Sequence, residues 1–166
     1  MLGRWQWSIM TVGGLGSVPR APGTVGSLPP IAVAIVLSWN GTAPWIITVT
    51  MLSIAIIATI LCVALAPWAI DHFKRNDPGE VVIDEVAGQS LALCFLPWVM
   101  GPEGGVRNMV IAAAAFLFFR ILDIAKPGLI GRSQSLRAGW GIVMDDLLAG
   151  VGACLAGIVL WSIVGG

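Results

Sequence analysis

The chain has 166 residues, 57% of them apolar and 11% charged, with nine basic residues, nine acidic residues, one histidine and a formal net charge of zero. A soluble domain carries about 25% charged residues, and the mean hydropathy here is +0.91. These values exclude a disordered chain, a basic nucleic-acid binder and most soluble folds, and they leave an integral membrane protein, of a length that suits one compact bundle.

In chain order, residues 1–20 read as an arm whose Leu2, Trp5, Trp7 and Ile9 suit an interfacial position. From Ala21 to Ile70 no residue is charged. About 20 residues cross a bilayer, so this run holds two segments, divided at the polar turn Asn40-Gly41-Thr42. The first, 25–39, reaches only about 22 Å at about 1.5 Å per residue. It is read as a short or re-entrant segment, with Pro29-Pro30 near its start. The second covers 44–69, and further segments are predicted at 82–100, 106–124 and 143–164, about five in all. Cys62, Cys94 and Cys154 are far apart, form no CxxC pair and read as buried small hydrophobes.

Lysine and arginine set the expected orientation. Arg4, Arg20, Lys74, Arg75, Lys126, Arg132 and Arg137 fall in one set of connections, while the other set holds Arg107. This bias places the N-terminus in the cytoplasm and the C-terminus outside. Trp39, Trp45, Trp98 and Trp161 then fall near the outer ends, and Trp68 and Trp140 near the inner ones, as interfacial aromatic belts do.

All the acidic residues except Glu103 gather at or near the inner ends of the last four segments. Carboxylates at membrane depth cost at least ~2.5–3.5 kcal/mol each on insertion scales, so they imply partners or a wet cavity. Asp77, Pro78 and Glu80 have the spacing of a helix N-cap, a first-turn proline and a capping box. Asp84 and Glu85 lie beyond any cap, and Asp84 is expected to share a face with Glu80 and Asp77. Arg120, Asp123 and Lys126 step by three along one helical face. A guanidinium and an ammonium together suit a phosphate group. Asp145 and Asp146 are adjacent carboxylates that repel unless a cation stands between them and their neighbours; a hard divalent ion such as Mg²⁺ meets that need. Thr24 and Ser27 offer hydroxyls at the start of the first segment, as phosphate donors or as ordinary caps. His72, the single histidine, sits beside Asp71 near an interface, and no Ser-His-Asp set is in view.

Four blocks, Pro22–Ser27, Asp77–Gly88, Phe119–Pro127 and Gly139–Gly150, resemble in order and spacing those of the phosphatidylglycerophosphatase A family. Two departures are visible: Leu122 replaces a usual aromatic residue, and Gly128-Leu129 replaces a Pro-rich continuation. The resemblance implies an all-α membrane bundle, a multi-pass enzyme of the bacterial inner membrane. It implies removal of phosphate from the phospholipid phosphatidylglycerophosphate, with Mg²⁺ as cofactor. On this reading Asp84, Asp123 and Asp146 are catalytic. Glu80, Asp84, Glu85, Asp123, Asp145 and Asp146 are the candidate metal ligands, and Arg120, Lys126, Thr24 and Ser27 the candidate phosphate-binding residues. Whether water or a carboxylate attacks phosphorus is open at this stage.

Two alternatives stand beside it. A phospholipid-synthesising phosphotransferase also gathers aspartates near the inner surface, but its D-G-x-x-A-R start is missing. An ion-translocating protein usually carries polar residues at mid-depth, where this chain is apolar. Small residues at Ala112–Ala115 and at Gly150, Gly152, Ala153, Ala156 and Gly157 permit close helix contact, within the chain or in a homo-oligomer.

Overall fold

The computed structural model describes residues 3–133, 136 and 139–164; Leu2 of the arm and Arg137 of the basic connections lie outside them. Among the described residues every regular element is helical. α1 (Arg4–Met10) leads through a short 3₁₀ turn at Leu15–Ser17 to α2 (Pro22–Gly26), which runs on into α3 (Leu28–Trp39). Then follow α4 (Pro44–Phe73), α5 (Ile83–Ala92), α6 (Gly105–Ala125), α7 (Leu129–Ser133) and α8 (Gly139–Val164).

Four stretches are long and apolar enough to cross a membrane: Pro22–Trp39, Pro44–Phe73, Pro102–Ala125 and Gly139–Val164. Their packing follows membrane logic. On α4 the buried stripe is Ala55, Ala58, Cys62, Ala66 and Ala69, while Ile56, Ile57 and Ile60 point outward. Lipid solvates large apolar side chains as well as a protein core does, so small residues go inward, where they let backbones approach. The small residues of α6 and α8 follow suit: Ala112, Ala115, Gly150, Ala153 and Gly157 are buried within the chain.

The stretch expected as a continuous segment over 82–100 is built differently. Its helix, α5, has 10 residues, about 15 Å at ~1.5 Å per residue. It stops ahead of Pro97, which disfavours helical geometry in the residue before it, and Phe95 adopts a left-handed backbone with φ 57°. The chain then continues without regular structure to the Trp39 end, where Gly101 N–H donates to the Ser38 carbonyl at 2.8 Å. Irregular backbone at this depth is tolerated only when its polar groups are satisfied. Asn108 of α6 does so with both amide atoms, accepting from Val99 N at 3.0 Å and donating to Val99 O at 2.7 Å. Thr48 Oγ1 of α4 accepts from Phe95 N at 3.2 Å. Trp98, expected in the outer aromatic belt, is instead buried in this stretch, 4% exposed, with its indole N–H on the Leu93 carbonyl.

The capping arrangement expected at Asp77–Glu80 does not form. Residues 78–80 make a turn, Val81 and Val82 are not helical, and α5 opens only at Ile83 with Val82 as its N-cap. The reason is a tie to the arm: Val82 N–H donates to the carbonyl of Met10, itself completely buried. The arm is thereby part of the packed structure, with α1 lying on α4.

Candidate active site

The inner face of α5 determines what can gather at the charged end of the bundle. Asp84 and Glu85 occupy its first turn, where unpaired backbone N–H groups and the helix dipole favour acids. α5 crosses α8 at a glycine contact. A Cβ on Gly88 would meet the Asp146 carbonyl oxygen at 2.5 Å and the Phe119 ring at 2.6 Å, and one on Gly150 would collide with the Gly88 backbone. Only two glycines let these backbones touch, and that contact draws the carboxylates of the two helices together.

α6 supplies the cations. Arg120 Nη1 donates to Glu85 Oε2 at 2.5 Å and lies 3.2 Å from Asp123 Oδ2. Lys126 Nζ pairs with Asp145 Oδ2 at 2.5 Å. Burial alone would lower the pKa of Lys126, but the hydrogen bond and charge of Asp145, with Asp123 and Asp146 behind it, raise it above the ordinary lysine value. Gly23 of α2 closes over this pair, since a side chain there would collide with the Glu85 carboxylate and press on Arg120.

A cavity of about 340 Å³ results. It is lined by the carboxylates of Asp77, Asp84, Glu85, Asp123, Asp145 and Asp146 and by two cations, Arg120 and Lys126. Asp84, Asp123, Asp145 and Asp146 are each under 9% exposed. Removing ions from water costs several kcal/mol apiece unless they are compensated, and among the described residues lining the cavity the acids outnumber the cations. One carboxylate oxygen from each of Glu85, Asp123 and Asp146 lies within 4.8 Å of the other two. These three acids, from three helices, are close enough to share a metal ion. An all-oxygen, anionic donor set is the chemistry that hard divalent cations select.

Backbone strain frames the opening. Ala21 (φ 51°, ψ 54°) and Lys126 (φ 44°, ψ 53°) both adopt the left-handed conformation directly before a proline, and both line the cavity. Such non-glycine residues cost about 1–3 kcal/mol and cluster at functional sites.

The predicted residues are placed unevenly. Asp84, Glu85, Asp123, Asp145, Asp146, Arg120 and Lys126 share the cavity. Asp84 lies outside the close trio, and its Oδ1 accepts from Glu85 N at 3.0 Å. Ser27 Oγ is 2.8 Å from the Gly23 carbonyl and 3.2 Å from Glu85 Oε2, so it steadies a carboxylate. Thr24 is not among the lining residues, and Glu80 is turned away, paired with Arg75 at 2.7 Å. Conversely, Asp77 reaches the cavity from its loop. Burial and the neighbouring carboxylate of Asp145 raise its pKa above the usual aspartate value, against the pull of Lys126. Its sequence signal was there, an acid close to Asp84, but the capping pattern supplied a competing explanation.

A helical membrane bundle with an over-acidic cavity edged by Arg and Lys defines a membrane-embedded enzyme of phosphate-ester chemistry. Residues 8–161 match the phosphatidylglycerophosphatase A family, and the chain belongs to that family of phosphoric monoester hydrolases. Among curated relatives, the phosphatidylglycerophosphatase A of Escherichia coli K12 is 35% identical over 149 residues, covering 87% of this chain and 77% of the relative. That of Haemophilus influenzae is 31% identical over 160 residues, 89% of this chain and 83% of the relative. A Bacteroides thetaiotaomicron protein named "Putative phosphatidylinositol-3-phosphatase" is 33% identical over 141 residues, 83% of this chain and 82% of the relative. No solved structure matches the chain.

Proposed function

We propose that the protein hydrolyses the terminal phosphate of phosphatidylglycerophosphate, giving phosphatidylglycerol and inorganic phosphate. The observation that carries this reading is the meeting of Glu85, Asp123 and Asp146 within 4.8 Å, beside Arg120. In this reading Glu85, Asp123 and Asp146 hold Mg²⁺, with Asp84 and Asp145 in support. The chemistry a divalent cation would supply there is charge neutralisation at the phosphoryl oxygens and acidification of a water. Arg120 and Lys126 exchange their present carboxylate partners for the phosphate, Arg120 as a planar fork and Lys126 as a point charge. Asp77 and Asp84 stand in reach of the cavity to take up a proton. The basic connections favour a cytoplasmic location for the site in a bacterial inner membrane, the leaflet face on which a phosphorylated lipid intermediate is made.

The deciding experiment measures phosphate release by the purified protein from phosphatidylglycerophosphate, with Mg²⁺ and with chelator. Phosphatidic acid and phosphatidylinositol 3-phosphate serve as competing substrates, the latter because of the Bacteroides relative's name. Mg²⁺-dependent release, fastest from phosphatidylglycerophosphate, is expected. Fastest release from the inositol lipid would move the substrate. Nucleotide-dependent transfer without hydrolysis, or ion flux in liposomes without phosphate release, would replace the reading altogether.

A further inference from the structure

Beside the acidic cavity lies a second hollow of about 280 Å³, sharing Pro22 and Gly79 with it as a common wall. Its other side is formed by the 3₁₀ turn after α1, where Gly16 seats against the Glu80 backbone so closely that no side chain would fit. Arg75 and Glu80 both line it as an ion pair, with Arg75 Nη2 donating to Glu80 Oε1 at 2.7 Å. The other carboxylate oxygen, Glu80 Oε2, is buried and has no hydrogen-bond partner among the described residues. A buried acceptor left unpaired costs about 1–3 kcal/mol. An exposed ion pair, in turn, contributes little to stability by itself, so the fold gains little from keeping this carboxylate half used. Arg75 lines the hollow and is more than half exposed, and Glu80 engages one of its nitrogens, so other N–H groups of the planar fork are free for a ligand.

We propose that this hollow is a headgroup-reading subsite for a phosphodiester joined to the reacting phosphomonoester by a short polyol. The proposal rests on the hydrolytic reading above and names what sets its substrate. The monoester enters the acidic cavity, and the linker passes over Pro22 and Gly79. The Arg75 guanidinium then meets the diester phosphate, and the Glu80 carboxylate, released by Arg75, turns its buried oxygen into the hollow to accept a polyol hydroxyl. The hydroxyl satisfies the carboxylate oxygen that the fold leaves unpaired. A lipid with a single phosphate directly on diacylglycerol has nothing to place there.

Binding, not turnover, reads this subsite. The probe is the deacylated headgroup, glycerophosphoglycerophosphate, titrated calorimetrically in Mg²⁺ buffer against inorganic phosphate. The wild-type protein is expected to bind the headgroup at least about tenfold more tightly than inorganic phosphate, since one charge-assisted bond is worth that factor or more. Arg75→Ala and Glu80→Gln should each cut that preference several-fold, and Arg75→Lys should restore part of it. In lipid hydrolysis the same variants should raise KM more than they lower kcat. Equal affinity of the wild type for the two probes, or a preference that survives both substitutions, overturns the subsite. A preserved preference in a wild-type protein that releases no phosphate from the lipid overturns the hydrolytic reading instead and leaves the subsite standing.

Discussion

The two ends of the bundle both bury polar groups, and they use them in opposite ways. At the Trp39 end, Asn108 and Thr48 are spent on the backbone of residues 95–99, donor matched to acceptor. At the other end, among the described residues lining the cavity, six acids stand beside two cations, Arg120 and Lys126. Buried polarity that closes on itself holds a fold together, whereas buried polarity in excess marks where something else must bind.

The largest expected effect lies at the acidic end. Asp146→Asn should lower phosphate release by on the order of 10³-fold or more, the scale of losing transition-state charge stabilisation. In metal-free detergent the same variant should melt no lower than wild type, because it removes one of several repelling buried carboxylates. Saturating Mg²⁺ should stabilise wild type by about 2.7 kcal/mol at 100 times its dissociation constant, and the variant by much less. An equal shift in both would remove Asp146 from the ligand set.

Next comes the contact that sets the spacing of the acids. Gly88→Ala forces a methyl into the Asp146 backbone and the Phe119 ring. It should destabilise by about 1–3 kcal/mol and reduce kcat by about 100-fold, as small displacements of a reacting constellation do. Retained kcat would mean that the helices have room to part without moving the carboxylates.

Asn108→Leu sharpens the contrast from the opposite end. It strands both polar atoms of Val99 and should cost about 2–4 kcal/mol, two unmade bonds at about 1–3 kcal/mol each with partial relaxation. Activity per folded molecule should stay within a factor of two or so of wild type, measured alongside thermal unfolding. The smallest effect is expected for Thr48→Val, which frees one N–H of the same stretch and should cost about 1 kcal/mol with turnover unaltered. A large loss of turnover in either variant would break the division between the ends.

Much of this was legible in the chain. Uncharged runs located the membrane segments, and the clustering of acids beside Lys and Arg pointed to one end as chemical before any geometry was known. Helical spacing placed Arg120, Asp123 and Lys126 together, because α6 is regular through all but the last of them. Phase failed where regularity failed. Starting the helix at Asp77 put Glu80 on the face of Asp84; the observed start at Ile83, fixed by the distant Met10 carbonyl, sends Glu80 to Arg75 instead. The break within 82–100 had a local sign in Pro97. Its compensation, by Thr48 and Asn108, comes from positions that no local pattern connects to it. Trp98 misled for the same reason: a residue counted at a membrane surface was swallowed by a stretch that abandons the helix.

The discontinuous third pass has a consequence for how the protein is made. Ten helical residues followed by open backbone are a poor anchor alone, since lipid offers those amides nothing to bond. Thr48 is synthesised before this stretch, but Asn108 emerges after it. The pass can therefore settle only once the following helix has arrived beside it. Because Asp84 and Glu85 ride on that same pass, the acidic cavity is assembled late in biogenesis, and a ribosome-stalled chain ending short of α6 should be membrane-bound with residues 93–101 open to protease.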